Sequence, residues 1–377
     1  MSESVFTLEA LEAKHGDSLL LHYGSLDAPR LIVIDGGPRG VYKGSLRPRL
    51  HEIRQNLGGG QLEIRMVMVS HIDDDHIAGV LEFVGELRKD QDSGKQLPFD
   101  ILTLWHNSFD DLIAKMGPAA AEVLGARFTA SSTADAAAIV AGVKQGRQLR
   151  LDADALAINM NSGFDDLIQF DKTERALRIG GELRFSVLGP RTAELYALKN
   201  KWRDELPALL EKHGTTEAAA AEFLDESVHN LSSVIVLAQF GTKHRRKMLL
   251  TGDARGDFIL NSLREAKLLT KGVLAVDVLK MPHHGSRRNI SVNFFKTIRA
   301  RHYVVSANGR DDNPDPPTFT DLFEARPKGP YDIWLTNNVA PAVTLINDTK
   351  PDGVTLHLPK RPGASLRIEL GAKKIAW

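Results

Sequence analysis

The sequence predicts an α/β protein, and three observations predict it. Short runs with both faces apolar recur through the first hundred residues and again from Leu183 onward, as in sheets covered on both sides. Segments of helical period, several of them Ala-rich, separate these runs. Three of the apolar runs end in histidine or aspartate, at places where a sheet would fix the spacing of ligand groups.

Residues 5–8, 18–23, 31–35 and 64–69 read as strands. Residues 78–87 read as a helix, with Val80, Leu81, Val84 and Leu87 at helical spacing. From about Asp110 to Asp166 the composition turns Ala-rich. Residues 119–124 and 134–143 read as helices there, as an insertion over 110–180 or equally as a helical layer of the same domain. Strands resume at Leu183, interrupted by a polar helical stretch between Thr192 and Glu226. After Pro330, residues 333–335, 343–346, 353–357 and 366–369 read as a terminal β-hairpin set. The expected organisation is one large domain over 1–330 with a β-rich extension of the same domain over 331–377.

Composition sets the class. At 377 residues, with 42% hydrophobic and 25% charged side chains, the chain has ordinary globular usage, which argues against disorder. It holds no apolar run of the length a membrane helix needs, and Met1-Ser2-Glu3-Ser4-Val5 lacks a signal pattern, so a cytoplasmic protein without a membrane partner is expected. The absence of cysteine excludes disulfides and thiolate ligands, leaving His, Asp and water for any metal. A formal net charge of +0 argues against a broadly basic face for nucleic acid.

The densest chemistry lies in Ser70-His71-Ile72-Asp73-Asp74-Asp75-His76, directly after an apolar run. Crowding like charges at the end of a buried strand is costly unless a cation neutralises them. His71 and Asp73, two apart, point the same way from an extended end, and Asp75 and His76 follow in a turn. Met248-Leu249-Leu250-Thr251-Gly252-Asp253 repeats the arrangement of strand then ligand. So does Val276 to Ser286, ending in His283-His284-Gly285-Ser286. Alone, the Gly-Asp would be a turn and the His pair a surface loop. Together they point to a metal-dependent hydrolase.

On these motifs the chain resembles the metallo-β-lactamase superfamily. Its His71-x-Asp73-x-Asp75-His76 carries Asp where the usual signature has a second His. With Leu250-Thr251-Gly252-Asp253 and Leu279-Lys280-x-Pro282-His283-His284-Gly285-Ser286, this variant is similar to the hydrolase domain of the competence DNA-uptake channel and its soluble relatives. Ile32-Val33-Ile34-Asp35-Gly36-Gly37, Asn230-Leu231-Ser232-Ser233-Val234 and Val304-Val305-Ser306-Ala307-Asn308 also fit, so the resemblance covers about residues 5 to 320. Two departures stand out. Phe185 to Pro190 lacks the superfamily's middle histidine, and Asp315-Pro316-Pro317 stands where the relatives often carry His-Pro.

The resemblance implies a four-layer αββα sandwich with metals at one sheet edge, and two divalent ions, Zn or Mn. His71 and Asp73 would hold one ion, Asp75 and His76 the other, with Asp253 bridging and His283 closing the second site. His284 is the alternative ligand, or the group that protonates the leaving oxygen. Asp35 would brace the ligand loop. His106 follows a strand and could support the site, as could His229. Arg287 and Arg288 would neutralise a phosphate, and Asn308 would touch substrate. The implied reaction is phosphodiester cleavage of nucleic acid or a nucleotide by hydroxide held between the ions. The alternatives are hydrolysis of a cyclic nucleotide, small phosphoester or lactone, and a partner-regulated subunit of a bacterial defence or DNA-processing system.

Overall fold

The computed structural model describes residues 4–107, 134–165, 167–170, 176–192, 233–242, 245–375 and 377, with the backbone alone over 134–144. The strands in chain order are β1 (Ser4–Ala10), β2 (Leu19–Ser25), β3 (Pro29–Ile34), β4 (Leu62–Ile64), β5 (Met66–Met68), β6 (Phe99–Ile101), β7 (Thr103–Trp105) and β8 (Asn159–Met160). They continue with β9 (Leu177–Gly180), β10 (Leu183–Gly189), β11 (Ile235–Phe240), β12 (Arg246–Leu250), β13 (Leu274–Lys280), β14 (Ile298–Val305), β15 (Tyr331–Leu335), β16 (Val354–His357) and β17 (Leu366–Glu369). The described α-helices are α1 (Arg47–Asn56), α2 (Asp74–Asp92), α3 (Ala134–Ala155), α4 (Gly256–Glu265), α5 (Val292–Thr297), α6 (Pro316–Ala325) and α7 (Ala340–Thr349).

One sheet runs β17-β1-β2-β3-β5-β7-β8 and the other β16-β15-β14-β13-β12-β11-β10-β9. Because successive strand residues face opposite ways, strands apolar on both faces feed two cores at once. Phe6, Leu21, Met68 and Trp105 of the first sheet pack on Phe185, Val236, Phe240 and Val304 of the second. Phe6 and Phe240 stack across that gap with centroids 5.1 Å apart. On the outer side of the first sheet, Val33 and Val67 meet Leu50 of α1, Val80 and Val84 of α2 and Leu149 of α3. On the outer side of the second, Leu249 and Leu279 meet Leu263, Phe294, Phe319 and Ile346 of α4 to α7. This is the four-layer αββα sandwich.

The expected terminal hairpin set is corrected. Residues 343–346 lie in α7, with a proline in its first turn and Ala342 and Ile346 buried four apart. The helix is a crossover, since β14, β15 and β16 run parallel and parallel neighbours cannot be joined by a hairpin. β17 leaves that sheet altogether and pairs antiparallel with β1 in the other. The helix read at 119–124 and nearly all of the stretch between Thr192 and Glu226 lie outside the described residues. From Gln145 to Ala155, α3 carries Leu149 and Ala153 into the outer layer over the first sheet.

The parallel pairing places the site. β3, β5 and β7 are parallel in one sheet, and β12, β13, β14 and β15 in the other. Residues leaving the carboxyl ends of such strands gather along one edge of the sandwich. Asp35 follows β3, His71 follows β5, His106 follows β7, Asp253 follows β12, His283 and His284 follow β13, and Asn308 follows β14.

One buried charge cluster outside that edge holds the first sheet to its helices. Glu9 of β1 accepts from His22 Nε2 at 2.9 Å, Arg49 Nε at 2.9 Å, Ser365 Oγ at 2.5 Å and Arg367 Nε at 3.2 Å. Arg49 also donates to the Trp377 carbonyl at 2.7 Å, tying α1 and the chain end to the sheet. Burial works against ionised Glu9, but His22 and Arg49 outweigh it and hold the carboxyl well below its ordinary value of 4.5. A depressed carboxyl stabilises the fold fully above its unfolded value, and that stabilisation is lost as pH falls through the folded one. Glu9→Ala, which removes the buried carboxylate shared by His22, Arg49 and Arg367 and leaves Arg49 with Glu52 and the Trp377 carbonyl, should cost about 3–5 kcal/mol in denaturant unfolding at neutral pH. The mutant should also lose part of the parent's acid-induced fall in stability. A mutant as stable as the parent would remove this cluster from the account.

Candidate metal centre

The ligand loop is built by close backbone packing. Asp35 N–H donates to the Met68 carbonyl, and the Asp35 carboxylate accepts from Ser70 N–H at 2.7 Å and Ser70 Oγ at 2.5 Å. Gly36 and Gly79 then bring the Asp35 turn onto the start of α2. A Cβ on Gly79 would sit 1.9 Å from the Gly36 carbonyl oxygen, so only glycine allows the approach. Gly36 N–H donates to the His76 carbonyl and Gly79 N–H to the Gly37 carbonyl. Asp74 and Asp75 occupy the first turn of α2, where the helix dipole favours negative charge.

On the second sheet, Thr251 Oγ1 donates to the Lys280 carbonyl at 2.8 Å, fixing the end of β12 beside that of β13. His283 and His284 both take left-handed backbone conformations, φ 45° and 53°. Such angles are costly for residues with a Cβ, and concentrate where a side chain must be aimed. The turn is held by His283 N–H on the Gly252 carbonyl, Ser286 N–H on the His283 carbonyl, and Thr318 Oγ1 on the Gly285 carbonyl. Asp315, just before α6, accepts from Arg287 N–H at 2.7 Å and braces the same loop.

Four side chains converge there. The donor atoms of Asp75, His76, Asp253 and His284 all lie within 4.8 Å of one another. Nε2 of His76 is 3.3 Å from Asp253 Oδ2 and 3.8 Å from Asp75 Oδ1. Nε2 of His284 is 3.3 Å from Asp253 Oδ2 and 3.2 Å from Asp75 Oδ2.

The donor set fits a divalent cation for a specific reason. His284 Nδ1 is 2.9 Å from the Ser306 carbonyl oxygen, which can only accept, so Nδ1 carries the proton. His76 Nδ1 is 3.0 Å from the Asp35 carboxylate, with the same consequence. In the neutral rings both Nε2 atoms therefore present lone pairs toward the carboxylates, and both are buried with no hydrogen-bond partner among the described residues. Imidazoles oriented through the far nitrogen by a carbonyl or carboxylate are the usual supports of metal-binding histidines.

Electrostatics agree. Burial alone would depress His284, but the Asp253 and Asp17 carboxylates outweigh it and push the ring up to about 10. His76 is likewise opposed by burial and raised well above its ordinary value by Asp253, Asp75 and Asp35. Asp253 is held well below the carboxylate range, against burial, by His284, His76 and His283. The carboxylates call for positive charge at the two Nε2 positions, which protons or one metal ion can supply. Metal binding should therefore release protons and tighten as pH rises.

The other expected residues take different places. His283 is 38% exposed, with Nε2 4.0 Å from Asp253 Oδ2 and Nδ1 3.1 Å from Asn289 Oδ1, so His284 rather than His283 enters the donor set. His71 lies beside the set, its ring 5.2 Å from that of His76 and its Nδ1 3.4 Å from Asp73 Oδ2. Neither His71 nor Asp73 belongs to the four-donor group. Asp253 Oδ1 faces Lys280 Nζ at 3.9 Å. His106 is buried, and its backbone N–H donates to Asn161 Oδ1. Arg287 and Arg288 are exposed, and the Arg287 guanidinium pairs with Asp321 at 3.3 Å. His229 and most of the segment 230–234 lie outside the described residues.

Sequence reasoning missed Asp17 and Lys280, which pair with each other in full burial behind the centre. Asp17 Oδ1 is also 3.6 Å from His284 Nδ1. The signal for Lys280 was a charge at the end of a strand, directly after the apolar pair Val278-Leu279. A cleft of about 740 Å³ opens beside the centre, lined by Lys14, His15, Arg39, Asp75, Asn308 and Arg310 among others. Asn308 was expected at a substrate site; the three cations were not.

No family model matches the chain, and no curated protein is similar to it. Among solved structures, the metallo-beta-lactamase fold protein YhfI from Bacillus subtilis is 10% identical with a TM-score of 0.39, over 97% of this chain and 99% of that one. At that similarity the fold rests on the chain's own sheet order and helix layers. Among the described residues no helix is long and apolar enough to cross a membrane.

Proposed function

We propose that the chain is a metal-dependent hydrolase of phosphodiesters, acting on nucleic acid or a nucleotide. The observation that carries this reading is a buried donor set of two oriented imidazoles and two carboxylates that reaches a cleft through Asp75. Asp75, His76, Asp253 and His284 would hold one ion, and Zn²⁺ or Mn²⁺ suits the imidazole and carboxylate donors. His71 and Asp73 are assigned to a second ion. Bound there, divalent cations polarise a phosphoryl oxygen and lower the pKa of water.

The chain's own residues then orient and balance charge. Asp35 and Ser306 fix the two rings, Lys280 offsets the buried carboxylates, and Asp75 joins the donor set to the cleft. His284 is committed by its Nε2 to the donor set, so the half-exposed His283 is the better group to hand a proton to a leaving oxygen. A cleft of this volume matches a ligand the size of a nucleotide, which supports the small-substrate form of the reading.

The test is a screen with added Mn²⁺ or Zn²⁺ against single-stranded DNA, RNA, dinucleotides, bis(p-nitrophenyl) phosphate, p-nitrophenyl acetate and a lactone. Phosphodiester cleavage that chelator abolishes is expected. Ester or lactone hydrolysis with every phosphodiester left intact would overturn the reading.

A further inference from the structure

We infer that Lys14, Arg39 and Arg310 form an anion-binding rim that receives a second phosphate of the substrate, next to the one being cleaved. This rests on the phosphodiesterase reading and narrows it to a charged nucleotide or the phosphorylated end of a strand.

Three loops bring these cations to the cleft. Lys14 sits in the turn between β1 and β2, Arg39 follows the Asp35 turn, and Arg310 follows β14. All three loops are pinned to the metal centre. Gly16 lies so close to the ligand loop that a Cβ would sit 1.9 Å from the Asp75 carbonyl oxygen, and Asp17 N–H donates to that same carbonyl. Ser306 Oγ donates to the Gly16 carbonyl at 2.6 Å, and Lys14 Nζ to the Arg39 carbonyl at 2.9 Å. Backbone in the left-handed region recurs at Lys14 (φ 56°), Asp311 (φ 57°) and Asp312 (φ 59°), so the rim is held in costly conformations rather than in relaxed turns.

The cations are available. Arg39 is 72% exposed and reaches Asp74 only at 3.8 Å, while Asp74 Oδ1 already accepts from Gln145 Nε2 at 2.8 Å. Arg310 is 63% exposed, 3.8 Å from the exposed Asp311, and its Nη1 lies 3.1 Å from His15 Nε2. Exposed pairs at such distances contribute little and exchange readily for a better anion. Burial pushes His15 down, so it can accept from Arg310 instead of repelling it. Planar guanidiniums with several donors suit a phosphate's oxygens. By contrast, Arg287 is already paired with Asp321. The cleft lining also carries Asp74, Asp75 and Asp311, of which Asp75 belongs to the donor set and Asp74 already accepts from Gln145.

The test compares two dinucleotides, TpT and pTpT, which differ only in the terminal phosphate, on metal-loaded protein. The parent should show a KM about tenfold lower for pTpT, the worth of a charge-assisted contact or two. In Arg39→Ala/Arg310→Ala that ratio should fall to about one, with melting temperature and bound metal as in the parent. Both side chains are exposed, so the variant should fold, and Lys14→Ala provides a second reading of the ratio. Raising salt should shrink the parent's preference. A ratio of one in the parent, or a preference that survives the double substitution, overturns the rim. Failure to cleave either dinucleotide or any other phosphodiester instead overturns the underlying reading.

Discussion

On the proposed reading, His284→Ala should lose the ion assigned to the four-donor set and lower phosphodiester hydrolysis by about a thousandfold. Losing an ion forfeits several kcal/mol of transition-state stabilisation, at about 1.4 kcal/mol per tenfold in rate. The ring's Nδ1 is fixed on the Ser306 carbonyl and its Nε2 lies between Asp75 and Asp253, so no neighbour replaces it. His283→Ala should keep the ion, because His283 stands at the rim with Nε2 4.0 Å from Asp253. His71→Ala should keep the ion of the four-donor set and lose only the second equivalent. Elemental analysis after equilibrium dialysis reads all three. If His284→Ala binds metal like the parent while His283→Ala does not, the two histidines exchange roles. If His71→Ala loses all metal, the four-donor set is not an independent site.

That contrast marks where sequence stopped being informative. The Ser70 to His76 cluster, the Gly252-Asp253 turn and the His283-His284 turn each announced themselves as charge at the end of an apolar strand, and they do meet along one edge. Which of two adjacent histidines turns inward was not legible. It depends on consecutive left-handed φ angles enforced by Gly252, Gly285 and Thr318, contacts between segments far apart in sequence. The tail misled for a similar reason. Val343 to Ile346 is apolar enough for a strand, and only the parallel register of β15 and β16 demands a helical crossover there. Lys14, Arg39 and Arg310 belong to three separate loops, and no spacing rule links them before the strands pair. Asp17 and Lys280, 263 positions apart, became a pair only through the meeting of both sheets.

Lys280→Met should destabilise the protein by about 3–5 kcal/mol, because it leaves Asp17 charged and buried without its partner. Burial works against the ammonium, yet Asp17, Asp253 and Asp35 together hold it above its ordinary value of 10.5. A raised lysine stabilises the fold fully below its ordinary value, and that contribution is lost only as pH rises through the folded one. The deficit of the mutant should therefore be constant across neutral pH. Asp17→Asn/Lys280→Met should recover part of the loss, since the pair is then removed together and the coupling energy lies in the range of about 0.5–3 kcal/mol for groups in contact. The metal supplies a second readout. With a cation gone from beside Asp253 Oδ1, the pocket is more negative, so Mn²⁺ should raise the melting temperature of Lys280→Met more than that of the parent. A Lys280→Met protein that melts with the parent would mean Asp17 is satisfied without the ammonium. Equal metal-induced shifts in the two would show that Lys280 supports the fold and leaves the potential at the metal centre unchanged.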